Sequence, residues 1–289
     1  MVSLVVPGSS ERMLQKAVGI DADEIVIDLE DAVIPERKQE ALDAVLRALA
    51  AEPFAARKVS VRVNAIGSPW VHSELIALVT APGQLGSIVV PKVENAGDIA
   101  FADRLLRSAG AAAGPSFRGA PRVQALIETA SGLMNLSDIC ATSPLLEAVI
   151  LGYADLSVSL GRSKRGRDDL DRWLAVQDTV LIAARTAGLI AIDGPHLVID
   201  DEPGLRAAAT RAADLGFDGK WAIHPSQLEA IARAFAPSPD EVAHARAVLE
   251  TLAEAAADGG GAVKLDGEML DEPVRLAALR TLARAGVAR

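Results

Sequence analysis

The chain has one cysteine, Cys140, among its 289 residues. An intrachain disulfide is excluded, and no Cys/His grouping has the spacing of a zinc site. Positive charge is in deficit: 29 Lys and Arg stand against 39 Asp and Glu, for a formal net charge of −10. That balance speaks against a nucleic-acid partner or an anionic membrane surface, while leaving room for a local basic pocket. The opening MVSLVVPGSSERM is apolar for only a few residues at a time and has no cationic start, so neither a signal peptide nor a membrane span is expected there, and the expected location is cytoplasmic. Nucleotide and nucleophile signatures are missing as well. No G-x-x-x-x-G-K-[ST] loop occurs, no dinucleotide fingerprint follows a first strand, and the serines at 9 and 10 lie outside a G-x-S-x-G context. His72, His196 and His244 read as surface or loop residues, and Cys140 has no histidine near it in sequence. Covalent catalysis, P-loop phosphoryl transfer and nicotinamide binding are disfavoured.

What is there has a regular rhythm. Half the residues are hydrophobic and 24% are charged, which is ordinary for a soluble globular enzyme with a large core. Eight short apolar runs recur: SLVV (3–6), EIVIDL (24–29), KVSVRV (58–63), GSIVVP (86–91), RVQALI (122–127), EAVILG (147–152), GLIAI (188–192) and GKWAI (219–223). Between them lie Ala/Leu-rich stretches such as ERKQEALDAVLRALAAE, whose apolar residues recur at three and four. Strands alternating with helices imply a parallel sheet, and eight such units match a closed (β/α)8 TIM barrel of the α/β class. A doubly wound open sheet is the rival. The pattern changes after FAPSPDE (235–241), so residues 1–236 are expected to form the barrel. Residues 237–289 are expected to add a C-terminal helix, a Gly-rich hinge DGGGA (258–262) and a helical lid or tail.

Barrel active sites lie at the C-terminal strand ends. Those positions carry Ser9 and Arg12, then Asp28, Glu30 and Asp31, then Arg62 and Asn64, Lys92 and Glu94, Glu128, Asp155, Asp193 and His224. Carboxylates are costly to bury unless paired or bound to something. Glu128 and Asp155, on adjacent runs and without soft ligands nearby, are hard oxygen donors suited to Mg²⁺. The alternative is a pair of rim acids salt-bridged to Arg62 and Lys92.

The motifs VPGSSERMLQKA, DADEIVIDLEDAV, VRVN, VPKVE, LIETASG, LGYADLSVSLG, LGFDGKWAIHPSQ and DGEMLDEP stand in this order along nearly the whole chain. Together they resemble the citrate lyase β-subunit-like group of the HpcH/HpaI aldolase and citrate lyase superfamily. A branch of that superfamily acting on free hydroxy-keto acids typically carries Glu-His where this chain has Glu30-Asp31, and lacks the opening motif. Both differences favour the acyl-thioester branch.

The resemblance implies a Mg²⁺-dependent carbon–carbon lyase, with Mn²⁺ as a substitute. It would cleave or condense a 3-hydroxy dicarboxylic acyl-CoA, such as malyl-CoA or citramalyl-CoA, with acetyl-CoA and a 2-keto acid on the other side. It makes Glu128 and Asp155 the metal ligands and Arg62 the arginine facing the reacting carbonyl. Glu30 and Asp31 would hold the metal's waters, with Asp28 as support beneath. Arg12 and Lys16 would sit near the coenzyme A phosphates, and Ile223 and His224 would line the thioester site. Asp271, in DGEMLDEP, would be the acid/base, supplied by a neighbouring subunit of a homotrimer or a dimer of trimers. Two plainer readings stay open: Arg12 and Lys16 as a solvated helix face, and Asp271 as a helix cap. Rival functions are thioester hydrolysis on the same scaffold, the β-subunit of a citrate lyase complex using an acyl-carrier protein, and a non-catalytic barrel.

Overall fold

The computed structural model describes residues 1–81, 83, 85–114, 119–164, 169–257 and 263–286. They divide into two compact units, Met1–Ala232 and Arg233–Arg289. The first is a closed barrel of eight parallel strands in sequential order. These are β1 (Val2–Pro7), β2 (Glu24–Asp28), β3 (Lys58–Arg62), β4 (Leu85–Val90), β5 (Arg122–Ile127), β6 (Leu146–Leu151), β7 (Ile190–Asp193) and β8 (Gly219–Ala222). Each lies within about two residues of an apolar run, because fully buried parallel strands are apolar on both faces and interrupt the helical period plainly. The open-sheet rival is ruled out by the seam of β8 against β1, with Val2 opposite Lys220 and Leu4 opposite Ala222.

The helices around the strands are α1 (Glu11–Val18), α2 (Lys38–Ala50), α3 (Val71–Thr80), α4 (Ala96–Ala112), α5 (Ala130–Met134), α6 (Leu136–Cys140), α7 (Tyr153–Ser159), α8 (Leu174–Thr186), α9 (Glu202–Leu215) and α10 (Leu228–Phe235). The entry to α1 shows how the sequence sets its turns. Ser10 caps α1 by accepting from the Met13 amide, and just before it Gly8 donates its N–H to the Asp28 carbonyl at 2.8 Å. A Cβ at Gly8 would come within 2.9 Å of that same carbonyl oxygen, so the β1 exit needs glycine.

The barrel interior is layered. Val26, Val89, Leu126, Ala148, Ile150, Ile192 and Trp221 form one apolar cluster. Nearer the N-terminal strand ends lies a polar layer: buried Glu24 accepts from Ser3, Ser60 and Gln124 at 2.7, 2.5 and 2.6 Å. Its partners satisfy the carboxylate, and its position at the strand starts assigns it to stability.

The second unit contains α11 (Pro239–Ala257), a two-stranded antiparallel hairpin of β9 (Val263–Leu265) and β10 (Glu268–Leu270), and α12 (Glu272–Arg284). Asp266 and Gly267 turn the hairpin with φ of 49° and 95°, the pair of positive values that a two-residue turn requires. Ala245, Val248, Leu270 and Ala278 make its small core. The expected hinge at 258–262 lies outside the described residues.

Candidate active site

The C-terminal strand ends carry a dense set of charges, and it begins with Asp28. This last residue of β2 is buried, yet each of its oxygens has two donors. Oδ1 accepts from Arg62 Nε at 2.7 Å and the Glu30 amide at 2.8 Å; Oδ2 accepts from Arg62 Nη2 at 2.7 Å and the Ala32 amide at 3.1 Å. Such a bidentate pair fixes the plane of the Arg62 guanidinium. Asp28 is thus the anchor of Arg62, which refines the support role expected of it. Burial opposes the Arg62 cation, but Asp28, with Glu30 and Glu128 nearby, outweighs it and raises the pKa further. The guanidinium also lies 5.9 Å from the centre of the Trp221 ring, which floors the site.

The segment after Asp28 is held from behind. Lys38 on α2 donates to the carbonyls of Leu29 and Glu30 and to Asn64 Oδ1, at 2.8, 2.7 and 2.6 Å. Asn64 in turn gives its amide and side-chain N–H groups to Glu74 on α3. This bracing presents Glu30, which is 5% exposed, toward Arg62 and Lys92. Glu30 Oε2 is 3.1 Å from Arg62 Nη1, off the angle of a hydrogen bond, so it remains a buried acceptor without a donor. Burial raises the Glu30 pKa, with Arg62 and Lys92 pulling the other way.

Glu128 follows β5 and is 2% exposed. Its Oε1 accepts the Lys92 amide at 2.9 Å. Burial first, then the charges of Glu30 and Asp155, push its pKa up to about 8 against the pull of Arg62 and Lys92. Room for the carboxylate comes from Gly152, at the exit of β6: a Cβ there would fall 2.6 Å from Glu128 Cβ and 2.8 Å from Oε2. Asp155 stands in the first turn of α7, its side chain 40% exposed, with Oδ1 3.9 Å from Lys92 Nζ.

Four carboxylates, of Glu30, Asp31, Glu128 and Asp155, therefore surround one ammonium and one guanidinium that is already bidentate to Asp28. That excess of negative charge, a carboxyl forced up to about 8 and a buried acceptor without a donor are what a site for a hard divalent cation looks like before the cation is bound. Among the described residues no group of three His, Cys, Asp or Glu could hold a metal ion. Two protein carboxylates with the remaining positions left to water and substrate is the habit of Mg²⁺. The donor set fits that ion.

The other expected residues have partners or settings of their own. Arg12 and Lys16 are exposed on α1, four residues apart. Ile223 and His224 follow β8; the Ile223 amide donates to Gln227, and the His224 ring is 2.8 Å from Ser226 Oγ in the turn it caps. Asp193 turns inward, bound by Lys220 and the Tyr153 hydroxyl. Asp271 lies in the second unit and caps α12, accepting from the Val274 amide at 3.3 Å. Lys92, expected at a strand end and as an alternative partner of the rim acids, was given no role of its own; the structure sets it among Glu30, Asp31 and Asp155. Its left-handed backbone, φ 50°, is not something a lysine signals.

The model of the HpcH/HpaI aldolase/citrate lyase family matches residues 2–225. The chain is 33% identical over 281 residues to an L-malyl-CoA/beta-methylmalyl-CoA lyase of Rhodobacter capsulatus, covering 92% of this chain and 88% of that one. It is 36% identical over 282 residues to a (3S)-malyl-CoA thioesterase of Cereibacter sphaeroides, covering 98% and 93%. The crystal structure of CitE from Mycobacterium tuberculosis with magnesium, acetoacetate and coenzyme A aligns with a TM-score of 0.79 at 32% identity, over 99% and 97% of the two chains.

Proposed function

The chain belongs to the HpcH/HpaI aldolase/citrate lyase family, and on that premise we propose that it is a Mg²⁺-dependent carbon–carbon lyase of 3-hydroxy dicarboxylic acyl-CoA thioesters. The observation that carries the reading is the acid-rich strand-end cluster: buried Glu128 and half-exposed Asp155 beside an Arg62 locked by Asp28. Held by Glu128 and Asp155, Mg²⁺ would supply a Lewis acid for the oxygen that becomes the keto oxygen.

This chain's residues then account for the rest. Two donors of Arg62, Nε and Nη2, are taken by Asp28, so Nη1, which stands 3.1 Å from Glu30 Oε2, is the donor that can turn to the substrate's keto-acid end. In the cleavage direction the 3-hydroxyl gives its proton to solvent water, the C2–C3 bond breaks, and the electron pair passes to the thioester as an enolate. Arg62 stabilises charge that grows along this path, preorganised and already stripped of water. One proton returned to the enolate carbon yields acetyl-CoA, and we assign that proton to Asp271. Among the described residues of the mouth, Glu30 is tied to Arg62 and Lys92, Asp31 would hold the metal's waters, and Glu128 and Asp155 would be committed to the metal.

Arg62→Lys keeps the charge but loses the planar fork that Asp28 grips. It should lower kcat/KM by well over tenfold, about 1.4 kcal/mol or more of transition-state stabilisation. Near-wild-type kinetics would place Arg62 outside the site. Arg12 and Lys16 we assign to the coenzyme A phosphates. Reversing both charges should raise KM for the thioester far more than it lowers kcat, whereas an unchanged KM would make them a solvated helix face.

The 36% identical thioesterase favours one second reading, hydrolysis of the same class of thioester. Incubating the protein with malyl-, citramalyl- and 3-hydroxy-3-methylglutaryl-CoA, with Mg²⁺ or EDTA, separates the two. A lyase releases acetyl-CoA and keto acid in equal amounts on the first two; a thioesterase releases free coenzyme A thiol and no keto acid.

A further inference from the structure

The proposed chemistry leaves Lys92 without a task, yet the mouth is arranged around it. Its ammonium hydrogen-bonds Glu30 Oε1 and stands 3.4 Å from Asp31 and 3.9 Å from Asp155. Its backbone N–H holds Glu128 Oε1 at 2.9 Å. One residue thus approaches both assigned metal ligands, through the main chain on one side and the side chain on the other. It does so from φ 50°, a left-handed conformation that is uncommon for any residue with a Cβ and that persists only where the surroundings enforce it.

We propose that the Lys92 ammonium is a built-in counter-cation: it neutralises the acid cluster in the metal-free protein and gives way when the divalent cation binds. The inference rests on the Mg²⁺ reading of Glu128 and Asp155. Four carboxylates this close would repel one another strongly without a cation among them. An ammonium supplies that cation when no metal is present. Once Mg²⁺ is held by Glu128 and Asp155, two like charges contend for one site, and the mobile one must retreat. Lys92 has somewhere to go, since its side chain is 32% exposed and the buried Glu30 carboxylate can retain it. By linkage, whatever the ammonium adds to the metal-free fold it takes from metal affinity.

The test is to titrate MgCl₂ into metal-free wild type, Lys92→Met and Lys92→Arg by calorimetry, and to follow thermal unfolding in EDTA and in saturating Mg²⁺. Lys92→Met should bind Mg²⁺ about tenfold more tightly or better. Its Tm should fall by several degrees in EDTA and by less than half as much in Mg²⁺. Lys92→Arg, which keeps the charge, should bind within about threefold of wild type. Equal or weaker Mg²⁺ binding by Lys92→Met would overturn the inference, as would equal losses of Tm with and without metal. A Lys92→Met protein that does not fold even in saturating Mg²⁺ would overturn it too, because a displaced ammonium is dispensable in the loaded state. Wild type that shows neither heat nor a Tm increase with Mg²⁺ would instead remove the metal reading itself, and the inference with it.

Discussion

Glu128→Gln should abolish turnover and yet leave a folded, and in the absence of metal a more stable, protein. Loss of activity should go well beyond the roughly 10–100-fold expected when only an outer partner of a metal ligand is removed. The stability gain follows from where Glu128 sits. Its carboxyl titrates at about 8 in the folded chain against an ordinary 4.5, because burial and the charges of Glu30 and Asp155 penalise the anion. Between those two values the folded state holds a proton that the unfolded state has released. Metal-free stability must therefore decline as pH rises through this window, and at pH 8 the carboxylate is a net liability. Glutamine removes the liability. Metal-free Glu128→Gln should melt above wild type at pH 8, by an amount on the order of 1 kcal/mol or more, and the difference should vanish toward pH 4.5. Full wild-type activity in EDTA would remove Glu128 from the role of metal ligand, and a variant less stable than wild type at pH 8 would overturn the raised pKa of its carboxyl.

The second large effect concerns Asp271. Asp271→Asn should abolish turnover while leaving α12 intact, because asparagine caps a helix about as well as aspartate and the Val274 amide keeps its acceptor. The substitution thus separates the acid from the cap. If the acid serves the site of a neighbouring subunit, as we propose for a homotrimer, mixing inactive Asp271→Asn chains with inactive Glu128→Gln chains restores activity. A site is whole when an Asp271→Asn barrel receives the tail of a Glu128→Gln neighbour. Random trimers from an equal mixture contain about one such site in four. Recovery near that fraction, after mass spectrometry has verified subunit exchange, supports action in trans. No recovery would mean that Asp271 acts within its own chain or not at all.

The barrel was legible in the sequence because its strands are short apolar interruptions of a helical period, and eight of them exhaust the topology. Arg62, Glu128 and Asp155 were legible because each closes or follows such a run. The structure brings them together with Glu30 and Asp31 at one end of the barrel. What holds the site was not legible. Lys38 and Glu74 belong to helical segments where charge ordinarily means solvent, yet both are buried, braced through Asn64 against the back of the Glu30 segment. Asp28 could be read as support beneath Glu30 and Asp31, but its bidentate grip on Arg62 is a matter of strand register, Asp28 lying opposite Arg62 between β2 and β3. The need for Gly152 depends on the proximity of Glu128, which only the neighbouring pairing of β5 with β6 creates.

The seam between β1 and β8 has a consequence for synthesis. The Met1 amino group donates to the Asp218 carbonyl across 217 residues of sequence, and Val2 pairs with Lys220. At about 5–20 residues per second, the ribosome takes roughly ten to forty seconds to deliver the partner of the first strand. Until then β1 pairs on one side only, and its other edge, rich in valine, is exposed to any nascent chain nearby. Long-range closure of this kind also makes for slow folding, since the loop entropy must be overcome before the last strand contributes. Overexpression should therefore tax this seam first: chains truncated before β8 are expected to aggregate, whereas slower translation or lower temperature gives each barrel time to close on itself.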